Sequence, residues 1–242
     1  MNAAVAGLIV ALPEECRSLT SRGTRRGDCF ALGDARLVCV AGVGRDNAAR
    51  AAHQLMERGA RGLVSWGCAA ALSPALRPGD MCLPAEIVDT HARRWPVSEA
   101  WHRHARHALE GAGEVCAATL LTTDRPVATA AHKRALATRT GAVAADMESA
   151  AVAAVAHEHD LPFLTVRAIA DPAEVSLPRA AMRALDAAGT VRRITLFGEG
   201  LRHPGELGAL LRLASQFRTA LRALARSADR MGPGMQLDEG GA

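Results

Sequence analysis

The sequence predicts an α/β fold: one domain with a largely parallel central sheet and helices closing its C-terminal end. Three observations predict it. Apolar runs of strand length alternate with stretches of helical spacing from residue 5 to residue 171. Glycine or acidic residues follow several of those runs at once. From residue 172 onward the strand-like runs cease and helical patterns take over. At 242 residues the chain is near the upper end for a single domain and can bury a sizeable core.

Residues 5–12 (VAGLIVAL) read as a buried strand closed by Pro13, and residues 36–41 (RLVCVA) as a second. Gly42-Val43-Gly44 breaks that run, and Asp46 or Asn47 can cap a helix reaching Glu57. Residues 62–66 form a third strand, with Gly67-Cys68 opening a small-residue turn. Residues 80–89 read as extended, bent at Pro84. Then come a helix over 98–109, a strand over 115–122 and a helix over 128–138. The alanine-rich helix 147–159 leads into the β-branched strand 163–169. Residues 172–178 are a loop, and helices fill 180–187, 191–201 and 205–227. The domain is set at 1–230, and residues 231–242 are expected to be an unstructured tail.

Composition narrows the function classes. Aromatic residues make up 3% of the chain and tyrosine is absent, so a stacking platform for single-stranded nucleic acid is not expected. The net charge is +4, and much of the excess is arginine between Arg202 and Arg230. Such a basic helix can present a solvated face or rest on an anionic membrane. The six cysteines show no C-x-x-C pair and no zinc spacing, so reduced thiols in the cytoplasm are expected. No signal peptide and no membrane-spanning run is read.

In parallel sheets, ligands bind beyond the C-terminal ends of the strands. Glu14 and Glu15, Gly42 to Arg45, Gly67 and Cys68, and Asp171 all fall at such ends, which points to one shared pocket. Asp171 can be a turn residue before Pro172, or a cleft carboxyl that keeps a proton near neutral pH and gives it to a leaving base. Asp146 and Glu148 can be first-turn acids, worth about 0.3–1 kcal/mol each at a helix N-terminus. Glu148 can equally accept hydrogen bonds from two ribose hydroxyls, with Met147 as an apolar surface for the sugar. Glu15 can complete a helix start or act as a general base. The turn at Gly42 to Gly44 can hold an anion, with Arg45 supplying charge, but it is not a complete dinucleotide or Walker loop. Cys68 at a strand end can be a nucleophile if a histidine partners it, with His91, His132 and His157 as candidates. His102, His104 and His107 cluster on one helix, which is read as a surface helix without metal.

Taken together, VALPEE, AGVGRDNAA with VSWGCAAAL, and ADMESAAVAAVAHEHDLPFLTVRAIAD resemble segments of the purine nucleoside phosphorylase and nucleosidase superfamily. They match the glutamate loop, the S-G-I-G-K and T-G-S-A-G-G segments, and the E-M-E-A and V-R-A-I-S-D block of methylthioadenosine/S-adenosylhomocysteine nucleosidases. The C-terminal part, SLPRAAMRALDAAGTVRRITLFGEGLRHPGELGALLRLASQFRTALRAL, is similar instead to hopanoid-associated phosphorylases. The resemblance implies the phosphorylase/hydrolase-like three-layer fold with a mixed, largely parallel sheet. It implies phosphorolysis of adenosylhopane, with inorganic phosphate as co-substrate and no cofactor. Hydrolysis of methylthioadenosine or S-adenosylhomocysteine at the same site is the alternative. It further implies a homodimer or higher oligomer, a cytoplasmic location and, with a lipid-linked nucleoside, peripheral contact with the inner face of the membrane. Asp171 would protonate adenine, Glu15 would face the sugar or nucleophile, and Glu148 and Met147 would hold ribose. The Val127 backbone would touch the base, Gly67 and Cys68 would line the site, and Arg45 would bind phosphate. Cys68 replaces the serine of T-G-S-A-G-G, Pro126 replaces an aromatic, and Ser65 stands where bacterial phosphorylases carry an arginine.

Overall fold

The computed structural model describes residues 5–111, 115–184, 206–233, 235 and 237. Its centre is strand β4 (Gly62–Ala71), ten residues long. β4 runs parallel to β1 (Ala6–Val10) on one side and to β11 (Phe163–Asp171) on the other. Beyond β1 lie parallel β3 (Arg36–Val40) and the antiparallel edge strand β2 (Cys29–Ala31). Beyond β11 lie β5 (Met81–Cys82), antiparallel, and β8 (Val115–Cys116), parallel to β5. At its C-terminal end β4 also pairs antiparallel with β10 (Ala144–Asp146). The path continues through β9 (Leu120–Thr122) and β6 (Glu86–Asp89) to β7 (Arg94–Pro96). The sheet is therefore mixed, as expected, with parallel strands at its core.

Alternation along β4 builds the three layers. Successive side chains of a strand point to opposite faces. Leu63 packs with α2 (Arg45–Glu57) and α5 (Ser149–Glu158), through Ala51, Leu55, Val152 and Ala156. Val64 and Trp66 pack on the other face with α3 (Glu99–Leu109) and α7 (Leu207–Met231), through Trp101, Leu109, Ala220 and Leu224. The short helix α1 (Pro13–Cys16), α4 (Ala130–Thr140) and α6 (Arg179–Ala184) border the C-terminal ends of the strands.

Several expectations change. Gly67 to Ala71 do not turn but continue β4, because β11 pairs with them as far as Ala70, slipping register between Ile169 and Asp171, and β10 pairs with Ala70 and Ala71. Strands β2 and β7 were not anticipated. Asp146 ends β10, and α5 begins at Ser149. The helix expected over 191–201 lies outside the described residues. Where the tail was expected to start, α7 runs to Met231 and Met235 is buried, its carbonyl accepting from Trp101 Nε1 at 2.6 Å. The tail's apolar residues explain this, since Leu237 also packs against that face of the sheet. Cys29 and Cys39, expected as reduced thiols, are joined in a disulfide. They sit directly opposite each other on β2 and β3, the placement that brings two side chains together across an antiparallel pair.

Candidate active site

A cavity of about 280 Å³ opens at the C-terminal ends of β1, β4, β10 and β11. Glu15, Cys68, Val127, Met147, Glu148 and Asp171 all line it. They come from positions as far apart in the chain as Glu15 and Asp171, so the parallel sheet is what gathers them.

Glu15 is reached first. Proline opens α1, and Glu15, three positions on from Leu12, turns back to accept from the N–H groups of Ala11 (3.1 Å) and Leu12 (3.0 Å). Its other oxygen accepts from Cys68 N–H at 2.8 Å. Burial raises its pKa against the opposing pull of Arg167 and those three N–H groups. A buried carboxylate made more basic is suited to take a proton from water.

Glu148 is held on the opposite wall. Gly44 N–H donates to its Oε1 at 2.8 Å, and Met147 N–H to Oε2 at 3.3 Å. Gly44 has φ of 102°, a conformation favouring glycine, so the turn can aim this N–H inward. Burial and the neighbouring Asp146 charge lift the Glu148 pKa to about 7, with Arg167 and the Gly44 N–H pulling the other way.

Asp171 closes the site from β11. Its Oδ2 lies 2.7 Å from Lys133 Nζ of α4 as an ion pair, and both carboxyl oxygens are buried without an aligned hydrogen bond among the described residues. Burial raises the Asp171 pKa more than Lys133 lowers it. Such a carboxyl can hold a proton for a ligand atom placed at Oδ1.

Two buried cations beside the cavity were not singled out from the sequence. Lys133 is one. The other is Arg167, 2% exposed at the middle of β11. Its Nη2 donates to Asp146 Oδ2 at 2.5 Å and to Ser65 Oγ at 2.6 Å, and it lies 3.8 Å from Glu148. Asp146 also accepts from Thr122 Oγ1 (2.7 Å) and Ser149 N–H (3.0 Å), so the capping role and the ion-pair role coincide. Gly67 does not line the cavity. A Cβ there would lie 2.6 Å from Glu15 Oε1 and 2.7 Å from Arg167 Nη1, so glycine leaves room for both.

Arg45, the expected phosphate cation, is not brought into the cavity. Its guanidinium faces Asp89 and Asp124, each at 3.5 Å. The nucleophilic reading of Cys68 also fails on physical grounds. Burial and the Glu15 charge push its thiol well up, away from thiolate. His91 and His132 are exposed and His157 binds Pro96 O, so none partners it. In the histidine cluster, His102 Nε2 is engaged by Leu83 O at 2.9 Å.

The family model described as the phosphorylase superfamily matches residues 6–193. The chain belongs to the phosphorylase superfamily. Within it, a curated 5'-methylthioadenosine/S-adenosylhomocysteine nucleosidase of Chromohalobacter salexigens is 28% identical over 198 residues, 68% of this chain and 83% of the relative. Among solved structures, the nucleosidase of the same description from Neisseria meningitidis superposes with TM-score 0.70 at 18% identity. That match covers 94% of this chain and 97% of the other. The futalosine hydrolase of Helicobacter pylori gives 0.71 at 16% identity, covering 95% and 97%. These superpositions establish the superfamily fold for this chain.

Proposed function

We propose that this member of the superfamily hydrolyses the N-glycosidic bond of an adenine nucleoside. The observation that carries the choice of water over phosphate is the charge balance of the cavity. Glu15, Asp146, Glu148 and Asp171 line it, and the two buried cations beside it, Arg167 and Lys133, are already paired with carboxylates. A phosphate dianion would enter an excess of negative charge, since Arg167 and Lys133, the buried cations beside the cavity among the described residues, are committed to carboxylates. A neutral water meets no such barrier. The relatives named above as nucleosidases support the same reading.

The roles follow from position. Glu148 accepts from ribose hydroxyls, and Met147 packs beside the sugar. Asp171 gives its proton to a ring nitrogen as the C–N bond breaks and its electron pair moves to the base. Glu15 takes a proton from the water that bonds to the sugar carbon. The sugar passes through an oxocarbenium-like state, which the surrounding carboxylates stabilise. Leu12, Val43 and Phe217 form an apolar part of the cavity wall. That wall suits a methylthio or larger apolar substituent on the ribose.

The deciding experiment is adenine release from methylthioadenosine, S-adenosylhomocysteine, adenosine and adenosylhopane, each with and without phosphate. Phosphate-independent release is the expected outcome. Release that requires phosphate, and yields a sugar phosphate, would overturn hydrolysis in favour of the phosphorolysis implied by the C-terminal resemblance.

A further inference from the structure

Lys133 lies in a helix of ordinary polar sequence, yet its side chain is fully buried. An amino group at 0% exposure is costly unless its charge is matched. Here it is matched by two carbonyls and one carboxylate. Nζ donates to Pro172 O at 2.7 Å and Val175 O at 2.8 Å, and meets Asp171 Oδ2 at 2.7 Å. An ammonium has three donors, and three acceptors surround this one. Two carbonyls thus hold Nζ in place 2.7 Å from Asp171 Oδ2, an ion pair, while Oδ1 faces no cation among the described residues of the cavity wall.

We infer that Lys133 is a positioning residue for proton delivery: it locks Asp171 Oδ2 so that Oδ1 presents its proton to the leaving base, and it stabilises the carboxylate left behind. The inference rests on the nucleosidase reading above. Before the reaction, the proton sits between Asp171 Oδ1 and the ring nitrogen. As the glycosidic bond breaks, its electron pair goes to the base and the base takes the proton. Asp171 then becomes an anion beside a cation already in place. The stabilisation grows as negative charge develops on Asp171, so it acts on the transition state more than on the bound substrate.

The charges around Asp171 are few. Lys133 on α4 is the charge that acts on it. Glu15 on α1 and Asp146 and Glu148 near α5 share the cavity but are engaged by Arg167 or backbone N–H groups. Glu174 and Arg179, in the segment after β11, are exposed. Removing the Lys133 charge therefore makes Asp171 hold its proton more tightly. Activity that needs that proton is lost as pH rises, so the alkaline limb of kcat/KM moves to higher pH.

The test compares wild type with Lys133→Met and Lys133→Arg on methylthioadenosine and on p-nitrophenyl β-D-riboside, whose leaving group needs no proton. For Lys133→Met, kcat on methylthioadenosine should fall by about 10²-fold, the scale of lost general-acid assistance, with KM little changed. Its alkaline limb should move up, and its rate on the nitrophenyl riboside should stay near wild type. Lys133→Arg should keep the limb in place. Equal losses on both substrates, or an unmoved limb in Lys133→Met, would overturn the inference and reduce Lys133 to a clamp on the loop after β11. Should Lys133→Met not fold, Lys133→Gln carries the same comparison. A wild type that releases no adenine from any nucleoside would instead remove the nucleosidase reading itself.

Discussion

Glu148 is the residue whose environment makes the sharpest demand. Its pKa rises from 4.5 to about 7 on folding, chiefly because it is buried. The folded state therefore binds this proton more tightly than the unfolded chain does. The sign follows: the stabilisation is complete below pH 4.5 and is lost as pH rises through about 7. The size is on the order of 3 kcal/mol across that window. Thermal unfolding of wild type should thus show a lower Tm at pH 8 than at pH 5, and Glu148→Gln should reduce the difference, leaving the part that buried Glu15 and Asp171 contribute. A variant with the same pH dependence as wild type would reject the assignment. Gly67 makes a steric demand of similar clarity. A methyl group placed 2.6 Å from Glu15 Oε1 and 2.7 Å from Arg167 Nη1 must displace one of them. Gly67→Ala should cost about 1–3 kcal/mol of stability, read by denaturant unfolding, and roughly 10² in kcat. Full activity in that variant would show that the pair can move without harm.

At the scale of elements, the sequence made the strand-and-helix order legible because periodicity changes sharply between the two. The anionic half of the site was legible too, since Glu15 and Asp171 follow apolar runs at strand ends and Glu148 stands at the mouth of an alanine-rich helix. The cationic half was not. Lys133 lies among polar residues of a helix that is mostly exposed, and Arg167 lies within an apolar strand. Neither pattern reveals that a charge is buried and matched, because the matching carboxylates lie 21 and 38 residues away in the chain. The cross-strand disulfide was hidden for the same reason, since β2 is only three residues long. Helix α7 gives a further instance. Its arginines suggested a basic surface, yet the residue that matters to the cavity is Phe217, which contributes to the apolar wall. Phe217→Ala should raise KM for methylthioadenosine several-fold and leave kcat within about threefold, since a contact made equally in ground and transition states affects binding alone. A fall in kcat with KM unchanged would place Phe217 in the chemistry instead.

At the scale of the whole molecule, two electrostatic signs oppose each other. The chain carries +4 overall, and arginines 212, 218, 222 and 226 are on α7, so long-range forces draw anions toward the protein. The cavity has the opposite bias, because the buried cations beside it are already paired with its own carboxylates. Surface attraction is screened by salt within about 10 Å, whereas repulsion from buried carboxylates is screened far less. An anionic group on the ribose should therefore be rejected at short range even though it is attracted at long range. Adenosine 5'-monophosphate should be cleaved at least about 10²-fold less efficiently than methylthioadenosine, a loss of roughly 3 kcal/mol in transition-state binding. The penalty should persist from 20 mM to 500 mM salt, as expected for a buried rather than a surface interaction. If the monophosphate were cleaved as well as the neutral nucleoside, or if added phosphate accelerated release, the cavity would hold an anion-binding cation. Arg45, freed from Asp89 and Asp124, would then be the first residue to substitute.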